Sequence, residues 1–330
     1  MAENETLAGS HEAAKKKVGF WLPSRKTMTS VTYGTPGALV EEIKNNFVAY
    51  LRQNPQLELI EFEDFRKGII SCGRPVMGSG LSKPLDAFVW FGEIGRDFRR
   101  EYNLELLKTI GQSAKIINST FGYEIAMDKY LTSTFLAKHG IPVPKFMLVN
   151  SENAEAAVEH IKGWGGPVLL KPRLGSYGIG IMKIDRLIDL IDAVDYMAPA
   201  THYIEQLIPN DPAQWIGINI IGGEHAYSYR KGPESFHDGW KVLDRKRVGG
   251  KMILAQPTDQ QLAIAIKIAK LLDMAWVGVD IVTDNSGNPY VVDVNAFPGL
   301  YPEMFAKAGI DGPKMMAKAV FSKLGIENGN

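Results

Sequence analysis

Cysteine is almost absent. Cys72 is the only one in 330 residues, which rules out an intrachain disulfide and any cysteine-built metal cluster. It fits a reducing compartment, the cytoplasm. Long apolar runs are missing too: no stretch approaches the roughly 20 residues that a membrane-spanning helix needs. There is no excess charge of either sign, with 37 Lys plus Arg against 37 Asp plus Glu. A neutral chain has no global field to draw it to nucleic acid or an anionic membrane, so a bound anion must be held by a local cluster. The opening MAENETLAGSHEAAKKK is charged with no apolar segment behind it, which is not the layout of a secretory signal. Residues 1–16 read as a disordered tail. Internal repeats and low-complexity tracts are also lacking.

What is present is apolar material, 45% of the chain, enough for a sizeable core and more than one domain. KVGFWL (17–22), LELIEF (57–62), DAFVWFG (86–92) and KIIN (115–118) read as strands. Between them, Thr35-Pro36 reads as a cap and first turn, with Leu39, Ile43, Phe47 and Leu51 following at helical spacing. A second helix covers 101–111. Alternating strands and helices predict a small α/β domain with a mostly parallel sheet over residues 17–120. One helix is expected over 126–140, stopped by Gly140 and by Pro142 and Pro144. Beyond it, strand and helix patterns recur to a final helix at 312–324, and Gly222-Gly223 marks a hairpin between 216–221 and 225–231.

Two stretches carry chemistry. LLKPRLGSYGIGIMKI (169–184) holds Gly175, Gly178 and Gly180, and glycine amides approach phosphates without a Cβ in the way. A P-loop or a dinucleotide fingerprint would lead into a helix. Here Lys171 precedes the glycines and the following residues alternate as a strand. The reading left is a hairpin loop able to fold over a polyphosphate, with a plain surface turn as its alternative. In VVDVNAFPGL (291–300), Asp293 and Asn295 lie two apart on a strand and share a face, while Val292 and Val294 take the other. VGVDIV (277–282) brings Asp280 alongside. Three oxygen donors then converge, a set that suits Mg²⁺. The alternative, Asp280 in an ion pair and Asn295 capping a turn, suits either residue alone better than all three together.

With these residues in view, the chain resembles the ATP-grasp superfamily, and within it the RimK-like amino-acid ligases. The likeness runs from about 115 to 325, through INSTFGYEIAMDKYLTSTFLAKHGIPVPKF, KPRLGSYGIGI, YIEQLI, VGVDIV and VVDVNAFPGL. It implies an α/β pre-ATP-grasp domain (17–120) and an ATP-grasp fold of two α+β subdomains, 121–210 with the phosphate loop and 211–330 with the metal and acceptor site. It implies ATP as bound nucleotide with one or two Mg²⁺, Mn²⁺ being an alternative ion. Lys129 and Lys171 would contact the phosphates, and Gly175, Ser176 and Gly178 would close over them. Glu205, Gln206, Leu207 and Ile208 would meet adenine, largely through backbone. Asp280, Asp293 and Asn295 would hold the metal, with Asp293 standing where the family more often has glutamate. Lys171 and Arg230 would act in catalysis, Arg230 steadying an acyl phosphate.

The implied reaction joins a carboxylate and an amine through an acyl phosphate, adding an amino acid to a small acceptor. Its partners are small molecules, without nucleic acid or membrane, and a homo-oligomer stays open. The match departs from the family at Trp215-Ile216-Gly217, where Asp-Ile-Arg is usual, and at RKRV before Gly249-Gly250, where an asparagine is usual. The segment 229–251 is basic and reads as a docking surface for an anionic substrate, or as a solvated loop; His237 lies in it. ATP-grasp inositol phosphate kinases share the opening strand and an NAFPG ending followed by YPEMF-like residues. A kinase acting on a hydroxyl of an anionic small molecule is therefore the alternative. A non-enzymatic nucleotide-binding module is a third reading, opposed by the intact lysines, loop and metal residues.

Overall fold

The computed structural model describes residues 14–22, 37–76, 84–92, 94–95, 98–175, 178–242 and 251–327. The Thr35-Pro36 cap, the tail before residue 14, Ser176 and the 243–250 part of the basic segment lie outside these residues.

The chain opens as expected, with a parallel sheet. Strands β1 (Lys16–Trp21), β2 (Leu57–Glu61), β5 (Ala87–Trp90) and β6 (Lys115–Ile117) lie in the order β2-β1-β5-β6, all parallel. The strand at Lys16 begins one residue inside the stretch read as a tail. β1 and β5 are buried on both faces, which explains their unbroken apolar runs. Helices α1 (Gly37–Arg52) and α2 (Phe98–Ile110) are the crossovers. A small hairpin, β3 (Ile69–Ser71) with β4 (Arg74–Val76), was not legible in the sequence.

The helix expected over 126–140 is two helices, α3 (Thr120–Met127) and α4 (Lys129–Lys138). Asp128 interrupts them in an extended conformation, and its carboxylate accepts from the amides of Tyr130 and Leu131 at 3.0 and 3.2 Å. An acid at an N-cap satisfies donors that a continuous helix would have used internally.

The next layer is antiparallel: β7 (Phe146–Val149), β8 (Val168–Lys171), β9 (Met182–Ile184) and β10 (His202–Gln206), in the order β7-β10-β8-β9. Helices α5 (Ala154–Ile161) and α6 (Leu187–Tyr196) cover it, and it has a core of its own. The third sheet, also antiparallel, has the order β15-β12-β11-β16-β17. Its strands are β11 (Ile216–Ile221), β12 (Glu224–Lys231), β15 (Met252–Ala255), β16 (Trp276–Thr283) and β17 (Pro289–Asn295). Gly222 and Gly223 take φ of 63° and 82° in the tight β11–β12 turn, where both residues need positive φ. A short hairpin joins β13 (Phe236–His237) to β14 (Lys241–Val242). Helices α7 (Asp259–Leu271), α8 (Pro302–Ala308) and α9 (Gly312–Leu324) complete the chain. Among the described residues no helix is long and apolar enough to cross a membrane.

The first and third sheets share their packing. One cluster joins Phe20, Phe47 and Val89 to Trp276, Val320 and Phe321, and another joins Trp90 and Leu107 to Val279 and Ile268. The middle sheet is thus a separate body seated against a fused base. Asn118, fully buried, fastens the base. Its Nδ2 donates to the carbonyls of Trp276 (2.8 Å) and Ala296 (3.1 Å), and its Oδ1 accepts from the amide of Ala275 at 2.7 Å. Asn118→Leu leaves three backbone groups of the third sheet and its following loop without partners, each costing about 1–3 kcal/mol. We expect a loss of at least about 3 kcal/mol, read as a lowered denaturation midpoint in urea.

Candidate active site

The site is built on one face of the third sheet. Pairing sets Tyr229 opposite Gly217, Gly217 opposite Asp280 and Asp280 opposite Asp293. The next row on that face runs Tyr227, Asn219, Gly278, Asn295. Asp280, Asp293 and Asn295 therefore converge as the strand parity predicts. Of the two valines, Val294 follows that parity and Val292 does not. A bulge lies between the Asp280–Asp293 and Ile281–Val291 pairs, so Val291 and Val294 both enter the core while Val292 is half-exposed. An extra residue in one strand resets which side chains point inward.

The two carboxylates stand opposite each other across the strands. Burial, then the charge of Asp293, pushes Asp280 up to about 7; Lys231, a hydrogen bond from Asn295, and Lys129 pull the other way. In the unfolded chain the same group titrates near 3.8. The folded protein thus binds this proton more tightly, and ionising Asp280 costs stability. That cost is absent below about pH 3.8, grows through the window from 3.8 to 7, and is full above 7. Asp280→Asn is expected to raise the thermal midpoint at pH 8 in metal-free buffer and to leave it unchanged at pH 4.

Among the described residues, no group of three or more His, Cys, Asp and Glu side chains gathers to hold a metal. The donor set here is two carboxylates and an amide. It offers oxygen ligands and two carboxylates close together, which fits a hard divalent cation completed by water and phosphate oxygens.

Lys129 ties this face to the glycine loop. Its Nζ donates to the Gly175 carbonyl at 2.7 Å and lies 3.5 Å from Asp293 Oδ1. Beside it, Arg173 Nε donates to Asp128 Oδ2 at 2.7 Å, so the residue that splits α3 from α4 also anchors the loop's first turn. Gly178 and Gly180 hold φ of 69° and 75°, a backbone that side chains rarely adopt. At the loop's far end, Lys241 Nζ donates to the Ile181 carbonyl at 2.9 Å.

At the base of the loop, Lys171 forms a buried ion pair with Glu205. Their side chains are 6% and 2% exposed. Tyr203, across the strands from Lys171, donates to Glu205 Oε2 at 3.0 Å and meets Ser133 Oγ at 2.7 Å. Burial, then the charge of Glu205, raises the Tyr203 hydroxyl well above its usual range, which keeps it a donor. The carboxylate of Glu205 thus serves Lys171, a role the sequence did not reveal. Of the backbone donors expected to meet adenine, two are already used. The Gln206 amide donates to Lys145 O at 2.8 Å and the Leu207 amide to Pro167 O at 3.1 Å. Ile208 is buried next to them.

Arg230, expected to steady an acyl phosphate, lies off the carboxylate row. It sits between Tyr229 and Lys231 in β12, and the row Tyr229–Gly217–Asp280 puts its neighbours, not Arg230, on the carboxylate face. Its Nε is buried, with no partner among the described residues. Of the β12 cations, Lys231 is the one on the carboxylate face: its Nζ stands 5.0 Å from the Trp215 ring centroid and its charge favours ionised Asp280. His237 lies in the short β13 strand, paired with Lys241, and belongs to neither carboxylate row.

The family model for the RimK-like ATP-grasp domain matches residues 126–320. The chain is 29% identical over 178 residues to an alpha-aminoadipate--LysW ligase, LysX, of Saccharolobus solfataricus, an alignment covering 52% of this chain and 62% of the relative. It is 26% identical over 200 residues to a probable alpha-L-glutamate ligase of Legionella pneumophila, covering 60% and 63%. The chain thus spans less than two thirds of these relatives' length. In fold it is similar to a RimK domain ATP-grasp protein of Sphaerobacter thermophilus, with a TM-score of 0.61 at 19% identity, covering 92% of this chain and 99% of that one.

Proposed function

Since the chain belongs to the RimK-like ATP-grasp family, we propose that it is an ADP-forming carbon–nitrogen ligase that couples a carboxylate to an amine at the expense of ATP. The observation that carries this reading is the arrangement of Lys129 between the Gly175 carbonyl and Asp293. One ammonium there links the loop that would cover phosphates to the strands that would hold a metal.

The nucleotide lies, in this reading, between the middle and third sheets. Lys129 and Lys171 neutralise phosphate charge, and the amides at Gly175 and Gly178 donate to phosphate oxygens. Gln206, Leu207 and Ile208 border adenine through the groups not already paired in the sheet. Asp280, Asp293 and Asn295 hold Mg²⁺ or Mn²⁺, one ion suiting the donor set best. A divalent ion so held supplies charge neutralisation and alignment for the phosphates. The substrate carboxylate displaces ADP from the γ-phosphate, and the amine then displaces phosphate from the acyl group. Lys231, in place of Arg230, joins Lys129 in offering positive charge to the paired carboxylates. The absence of cysteine pairs and the need for ATP support a cytoplasmic setting.

The ligase reading is favoured over the kinase alternative because the curated relatives described above are named ligases. The deciding assay follows ADP and phosphate together over a panel of carboxylates and amines. A ligase releases both only when an acid and an amine are present, and hydroxylamine replaces the amine to give a hydroxamate. ADP without free phosphate, with a phosphorylated product, overturns the reading in favour of a kinase.

A further inference from the structure

The carboxylate face carries more than its metal donors. Tyr229 lies in the same cross-strand row as Asp280 and Asp293, and its ring covers Gly217: a Cβ there would come within 2.8 Å of the ring. Gly299, just past the metal strand, stands in the same relation to Tyr301, whose ring would collide with any Cβ. The rings are continuous. Trp215 and Tyr229 have centroids 5.6 Å apart at 66°, and Tyr229 and Tyr301 are 6.0 Å apart at 72°. Lys231 closes one end, over Trp215. The turn bearing Gly299 is held in place, since its carbonyl accepts from the Tyr227 hydroxyl.

Packing alone explains Trp215, which is 6% exposed. Tyr229 and Tyr301 pack in part against the core around Trp276 and keep part of their surface open on the face that holds the carboxylates. The glycines at 217 and 299 leave the space that these rings occupy, so the rings lie close on the sheet and its following turn. At 217 this chain has a glycine under a tyrosine ring, which leaves a flat, largely apolar surface beside the carboxylates.

We propose that Tyr229 and Tyr301 form the wall of the carboxylate-substrate pocket, and that this substrate bears an aromatic ring. The ring packs edge-to-face on the wall, and the reacting carboxylate lies toward Lys231 and the metal donors. This rests on the ligase reading above. Ring-on-ring contacts of this geometry favour an aryl acid over an aliphatic acid of similar size by about tenfold.

The test is calorimetric. Mg²⁺ with a non-hydrolysable ATP analogue is titrated first into the full chain. L-phenylalanine and 3-phenylpropionate, then L-leucine, L-glutamate and 4-methylpentanoate, are titrated into the resulting complex. At least one aryl acid is expected to bind about tenfold or more tightly than its aliphatic counterpart. Tyr301→Leu is expected to erase that preference with the affinity for the nucleotide analogue unchanged. An aryl acid binding no better than its aliphatic counterpart, or a preference that survives in Tyr301→Leu, overturns the proposal and leaves the nucleotide site intact. No binding of the nucleotide analogue by the unaltered protein overturns the ATP-grasp reading itself, and this proposal with it.

Discussion

Asp293→Ala is expected to abolish ATP turnover without lowering the thermal midpoint. Loss of a metal ligand removes several kcal/mol of transition-state stabilisation, and each 1.36 kcal/mol is tenfold, so a fall of about a thousandfold or more is expected. Stability moves the other way. Asp293 is the charged neighbour that, after burial, does most to raise Asp280 to about 7, so removing it relieves a repulsion. Its contact with Lys129, at 3.5 Å and with 25% of the Asp293 side chain exposed, is of the kind that contributes about 0–1 kcal/mol. Asp293→Glu restores the carboxylate one methylene further out and is expected to recover part of the activity. Phosphate release measured beside a thermal melt checks both halves. Normal turnover in the alanine variant would sink the metal assignment.

Lys171→Met is expected to be the most destabilising single change near the site. It strands Glu205 without its counter-charge at a position 2% exposed, and breaking a buried pair in this way costs about 3–5 kcal/mol. Tyr203 still donates one hydrogen bond to Glu205, which softens the loss but supplies no charge. The double variant Lys171→Met, Glu205→Leu removes both charges and is expected to regain most of the stability, since a buried ion pair replaced by apolar groups is often neutral. It should not regain nucleotide binding, because Lys171 is then absent from the base of the loop. Urea denaturation and nucleotide titration of the single and double variants separate the two roles. Recovery of nucleotide affinity in the double variant would assign Lys171 to the fold alone.

Much of this molecule was legible from residue order. The parallel first sheet followed from β-branched runs separated by helical spacing. The glycine-rich hairpin between β8 and β9 followed from a lysine ahead of three glycines with a strand behind them. The pairing of Asp280 with Asp293 followed from period-two alternation and a short turn. These are local properties: they depend on residues a few positions apart and on the geometry that such neighbours must adopt.

What tertiary structure alone decided lies in the register. The Gly222-Gly223 turn, continued without interruption, would pair Gly217 with Ser228 and bring Arg230 to the carboxylate face. A bulge between Asn219 and Ile220 shifts the pairing by one, to Gly217 with Tyr229, and exchanges Arg230 for Lys231. A second bulge, beside Asp280, sends Val291 rather than Val292 into the core. A one-residue slip turns every later side chain to the other face. Whether a slip occurs depends on what packs above and below the sheet, here α7 on one side and the Tyr229–Tyr301 rings on the other. Likewise, nothing near Glu205 in sequence reveals that its carboxylate meets Lys171. Their strands are joined through β9 and α6, and the ion pair exists only once β8 and β10 lie side by side. Sequence by itself therefore determined which chemical groups are present and which share a strand, because alternation is a property of the backbone. The fold decided which of them face one another, because pairing across strands is a property of packing.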